Sequence, residues 1–310
     1  MPLPFILWGA AAALAATGVV KGVQASGNFD KAKEIGEEAE AQYNKASKSL
    51  DKSRKETQGE LEALGELKVH TFTHQIKYLV EAIKKQKNAK STLKGFNEDL
   101  TIEELKDYEK LVLNSLEIEK GLASGIGGGA LAAIGAYGSV GALASASTGA
   151  AISGLSGVAA TNATLAWLGG GALSAGGFGM AGGMLALGGI VLGPALAIGG
   201  FMMASKAEEA LTKAHQYEAE VATAIANMEV VKTTLKGVRS NAKEITNTIN
   251  ELVIRFEQVK VDNDNDPVAF EQMLALGVGL KKVLDVAIIA DDGGATKDIK
   301  RTLTGILTLD

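Results

Sequence analysis

The chain has no cysteine, only 4 prolines in 310 residues, and not one charged side chain between Lys120 and Lys206. Without cysteine there is no disulfide framework, no thiolate nucleophile and no Cys-ligated metal. The few prolines, with 8 Phe, 5 Tyr and 2 Trp, favour helices over a β-sandwich. A net charge of −5 argues against a general affinity for nucleic acid. The missing charge is the most informative absence. A water-soluble core 85 residues long would carry charge wherever its elements reached the surface. Of the 38 glycines, 24 fall in that same stretch.

On either side of it the sequence is highly charged and helically periodic. Asn28 to about Lys87 is dense in strong helix formers. Phe29, Ala32, Ile35, Ala39, Tyr43, Ala46 and Leu50 form a thin stripe, continued by Thr57, Leu61, Leu64, Phe72, Ile76, Leu79 and Ile83. The spacing predicts a helix roughly 90 Å long, with Gly59 and Gly65 as weak points. Thr101 to Glu104 matches a capping box opening a helix that runs toward the uncharged block without a breaker.

Beyond the block, apolar residues from Val221 to Val259 alternate by three and four. Ile225, Leu235, Ile245, Ile249, Leu252 and Phe256 are the expected seam of a coiled-coil-like helix over Lys206–Val261. Its partner is either the first long helix or a second copy in a parallel dimer. Asp266 and Pro267 then mark a helix start reaching to about Ala290, and Ile299, Leu303, Ile306 and Leu307 mark a short closing helix.

Within the block, Leu122–Ala146 and Phe178–Ala204 are each long enough to cross about 30 Å of hydrocarbon as helices. Ser147 to Trp167 between them is richer in Ser, Thr and Asn, which suits a turn. A two-helix membrane hairpin is expected, and a glycine-rich hairpin buried inside a soluble bundle is its rival. Gly121, Gly125 and Gly129 repeat every four residues, as do Gly189 and Gly193, with Gly177 in the same register. Such rows bring helix backbones together in lipid. These six glycines, with Trp167, Phe178 and Phe201, are the candidate insertion and packing residues. Near the N-terminus, Pro4–Val20 is a further apolar run, read as a retained anchor, a signal peptide or a buried helix.

Few residues suggest chemistry. His70 and His74 share a helix face, but no H-E-x-x-H pattern accompanies them. The literal GxGxxG at Gly177–Gly182 lacks a preceding strand. Alternating aspartates at Asp262–Asp266 lack the glycine and terminal glutamate of a calcium loop. Lys84, Lys85, Lys87, Lys90 and Lys94 form a basic cluster, either a solvated helix end or a contact for anionic lipid. No catalytic residue, metal site, cofactor or small-molecule substrate is expected.

The layout resembles α-helical pore-forming toxins of the cytolysin A and haemolysin BL type, with Asn28–Lys87 and Lys206–Val261 as rods and Gly121–Ser205 as head. It also looks like bacterial glycine-zipper membrane proteins. The head is longer and richer in glycine than a small hydrophobic tongue, and the apolar N-terminus is an addition. The resulting expectation is an all-α, elongated helical bundle or coiled coil with a glycine-rich hydrophobic hairpin. Its parts are an apolar segment (1–25), an N-terminal helical part (26–120), the hairpin (121–205) and a C-terminal coiled-coil part (206–310). The expected function is a membrane-inserting homo-oligomer that permeabilises or remodels a bilayer. The alternative is a constitutively anchored coiled-coil scaffold without pore activity.

Overall fold

The structure, a computed structural model, describes residues 23–85, 102–123, 128–138, 207–261, 266–290 and 294–307. These residues are helical almost throughout. The helices are α1 (Val23–Thr71), α2 (Lys77–Lys85), α3 (Ile102–Ala123), α4 (Gly128–Tyr137), α5 (Ala207–Val261), α6 (Pro267–Leu284) and α7 (Ile299–Leu307). A π-helical turn, Phe72–Ile76, joins α1 to α2. Among the described residues the only β pairing is an isolated antiparallel bridge, Ile289 to Ala295.

The chain divides into two compact units, each drawing on both flanks of the uncharged stretch. The first takes residues 1–46 and 189–225. Its core is the alanine-rich stripe Ala32 and Ala39 against Ala210, Ala214, Tyr217 and Val221, flanked by Ile35, Tyr43, Leu211 and Ile225. Small residues there let the two helices approach closely but remove little apolar area from water.

The second unit takes residues 47–188 and 226–310 and holds the larger core. Here α1 and α5 run parallel. Arg239 meets Ser53 and Thr57, Lys243 pairs with Glu60 at 3.5 Å, and Gln75 bonds Glu257 at 2.7 Å. The expected seam residues Leu235, Ile245, Ile249, Leu252 and Phe256 are buried, so this helix finds partners within its own chain. Helices α4 and α6 return antiparallel to α1 and α2. Gly65 faces Leu131 while Leu61 faces Gly135, and Leu79 packs on Gly277 while Lys68 reaches Val286. Lys84 bonds Glu109 of α3 at 3.0 Å.

Several expectations need correction. Gly59 and Gly65 do not interrupt α1; both lie inside it. Tertiary contact overrides their weak intrinsic propensity, and Gly65 is needed for the approach of α4. The irregularity instead falls at the π-helical turn, which contains neither glycine nor proline. Its extra residue per turn turns Phe72, Thr73, Gln75 and Ile76 into the core together.

Helix α6 begins as expected, with Asp266 as N-cap accepting from the Val268 amide at 2.9 Å. It stops at Leu284, short of Ala290. The Ile288 and Ile289 amides leave the helical pattern to donate to the Ala136 carbonyl, at 2.8 and 3.3 Å. The first apolar stretch is likewise not one helix from Leu122 to Ala146. The described helical residues are those of α3 up to Ala123 and of α4 from Gly128 to Tyr137, and Gly138 then leaves the helix with a positive φ of 80°. No helix of the described residues is long and apolar enough to cross a membrane.

Candidate functional site

The most unusual group in the described structure is Lys68, whose side chain is fully buried. It stands four residues after Leu64 and four before Phe72, on the same stripe that carries Leu61 into the core. The α1 periodicity thus points a lysine inward, where an apolar side chain would suit the environment.

Its Nζ donates to the Gly135 carbonyl of α4 and to the Val286 carbonyl beyond α6, both at 3.3 Å. The last carbonyls of a helix have no partner of their own and carry a partial negative charge. Lys68 supplies one partner, and the Ile288 and Ile289 amides supply Ala136. Gly138 completes the terminus as a left-handed C-cap residue. A Cβ there would collide with the Asp285 carbonyl, so both its conformation and its neighbour call for glycine.

The approach of α4 to α1 is backbone on backbone. A Cβ at Gly65 would strike the Leu131 carbonyl, and one at Gly135 would strike the Leu61 carbonyl. This is how the Lys68 side chain can bridge to Gly135. Desolvation pushes the Lys68 amine down to about 7, partly opposed by the negative charge of Asp285. Asp285 is itself ion-paired to Lys281.

Two and six residues beyond Lys68, His70 and His74 stack at 3.9 Å with rings 10° from parallel. His74 Nδ1 lies 2.9 Å from the His70 carbonyl and 3.0 Å from Thr73 Oγ1. Imidazole lone pairs lie in the ring plane, so two parallel rings do not converge on one metal ion. No cluster of three or more potential metal-ligating side chains occurs among the described residues.

Of the candidate insertion residues, Gly121 lies half-buried in the last turn of α3, and Gly129 lies in the first turn of α4. Gly125, Trp167, Gly177, Phe178, Gly189, Gly193 and Phe201 lie outside the described residues. So do the Gly177–Gly182 match, Lys87, Lys90, Lys94 and Asp262–Asn265. Among the described residues, the glycine pair at the α1–α4 crossing, Gly65 and Gly135, belongs to neither predicted row. Ile225 is half-buried and packs on the alanine-rich core of the first unit.

Lys68 was missed because a charged residue was not counted into the stripe. The signal was its position in the gap between Leu64 and Phe72. Compared with known protein families, curated proteins and solved structures, the chain finds no match.

Proposed function

We propose that this protein inserts its uncharged segment into a lipid bilayer, associates with further copies of itself, and permeabilises or remodels that bilayer. The observation that carries this reading is the 85-residue segment without a charged side chain, far more than the charged helices can cover. The arrangement of α4 suits a form that holds part of the segment before insertion. Among its described residues Ile134 is the one large side chain it fully buries, beside the small Ala132 and Ala136, a light hold for a helix meant to anchor a core permanently.

The anchored-scaffold reading has less support. It needs a coiled-coil stripe free to recruit partners, whereas Leu235, Ile245, Ile249, Leu252 and Phe256 are already buried within the chain. Leakage of a trapped dye from liposomes tests the proposal. Purified protein is expected to release the dye, and the double substitution Gly189→Leu, Gly193→Leu is expected to abolish release by blocking close helix packing. Binding to liposomes without leakage would reject permeabilisation.

A further inference from the structure

We infer that Lys68 is a latch on the uncharged segment: its buried amine ties the carbonyl end of α4 to the chain beyond α6, and protonating it loosens α4 from the bundle. The fate of a released α4 in lipid rests on the proposed function. The latch itself is a property of the fold and is testable without lipid.

Three observations converge. The Nζ spans two elements far apart in sequence, with partners 67 and 218 residues away, so the tie depends on α4 being docked. Both partners are neutral carbonyls, and among the described residues no carboxylate lies within ion-pair distance of Nζ. Helix α4 brings it no charged side chain, Tyr137 being its one ionisable residue. From the segment after α6 only Asp285 acts on it, and Lys281 shares that carboxylate. Finally, the remaining hold on α4 is a glycine crossing, the Ile288 and Ile289 amides on the Ala136 carbonyl, and the buried Ala132, Ile134 and Ala136 side chains. An ammonium placed there lacks the solvation it would recover once α4 moved away.

With the amine already pushed down to about 7, the neutral form holds α4 at alkaline pH. As pH falls from the ordinary lysine value of 10.5, the undocked state takes up a proton that the docked state refuses. Opening therefore becomes easier down to about pH 7 and is constant below it, where both states carry the proton.

The absence of cysteine makes the test direct, because Ala132→Cys places a single thiol on α4, at a site only 2 % exposed. Its labelling rate is divided by that of the same chain unfolded in denaturant at the same pH, which removes the ionisation of the thiol itself. Between about pH 7 and about pH 9.5 the protection is expected to rise tenfold or more. In the Lys68→Met background it is expected to change less than about twofold. A thiol at Ala242, buried on α5 and exposed only by wider unfolding, is expected to be more protected than Ala132→Cys at every pH, because α4 opens without it.

Equal pH dependence at Ala132→Cys with and without Lys68 would overturn the latch. Should Lys68→Met fail to fold, equal protection of Ala132→Cys and Ala242→Cys at every pH in the otherwise unaltered chain would overturn it instead, because α4 would then open only with the whole core. Flotation with vesicles of phosphatidylcholine and phosphatidylglycerol separates the two ideas. Lys68-dependent protection without flotation at any pH leaves the latch standing and defeats the membrane reading. Flotation together with pH-independent protection does the reverse.

Discussion

Gly65 of α1 and Gly135 of α4 form a reciprocal crossing in which each glycine faces the carbonyl of a residue on the other helix, Leu131 and Leu61 respectively. Neither position has room for a Cβ, because the obstacle is backbone rather than a movable side-chain tip. The crossing also sets the distance that lets Lys68 bridge to Gly135. Gly65→Ala is expected to destabilise the protein by about 1–3 kcal/mol, the usual cost of overpacking. Gly59→Ala is the contrast, because its Cβ would meet nothing within 4 Å and it lies in the same helix. It is expected to stabilise by about 0.5–1 kcal/mol through helix propensity. Denaturant midpoints of the two variants, moving in opposite directions, check both.

Lys68 also makes global stability depend on pH. Its amine is held at about 7 in the folded chain against an ordinary 10.5. Between those values the unfolded chain binds a proton that the folded chain does not, so stability rises with pH across this window. The cost is fully present below about pH 7, at about 5 kcal/mol for a shift of that size, and is absent above 10.5. Denaturant unfolding from neutral to alkaline pH is expected to show this rise, and Lys68→Met is expected to remove it. The same slope in both chains would contradict the assignment.

Arg239 fixes the parallel register of α1 and α5. Its Nη1 donates to the Ser53 carbonyl at 2.9 Å, Ser53 Oγ at 3.1 Å and Thr57 Oγ1 at 3.2 Å, and it pairs with Glu56 at 3.2 Å. Thr57 keeps its own bond to the Ser53 carbonyl, so its loss is partly cushioned. Arg239→Ala is expected to cost about 2 kcal/mol. The coupling to Glu56, whose side chain is half exposed, is expected to be below about 1 kcal/mol in a double-mutant cycle.

Glu257 shows the opposite pH behaviour. Burial raises its carboxyl, but hydrogen bonds from Gln75 and Lys260, with the charges of Lys260 and His74, outweigh that and hold it below the usual carboxylate value. Its stabilising contribution is present above the ordinary value of 4.5 and is lost as pH falls through the lowered one. Glu257→Gln is therefore expected to lower stability by about 1 kcal/mol at neutral pH, and to make no difference in acid, where the native side chain is also neutral. Denaturation at both pH values measures it.

Much of the helical layout was legible in the sequence because its causes are local. The stripe of α5, the Asp266–Pro267 start of α6 and the Ile299–Leu303 face of α7 rest on spacings of a few residues and on capping chemistry. The points that failed depend on distant partners. Gly65 reads as a weak point until Leu131 comes against it, and α6 reads as longer until Ala136 draws off the Ile288 and Ile289 amides. The candidate site shows the same division. Its glycines were sought in four-residue rows, whereas the close crossing pairs one glycine from the charged flank with one from the uncharged segment.

By itself the sequence determined that this chain is helical and that its charge is segregated, because propensity, periodicity and composition are properties of neighbouring residues. It also determined that the uncharged stretch needs some partner other than water. Only the tertiary structure decided that α1 and α5 run parallel, that α4 ends at Gly138, and that a lysine sits in the core. Each of those depends on groups brought together across tens to hundreds of residues, where backbone carbonyls and a single amine satisfy one another.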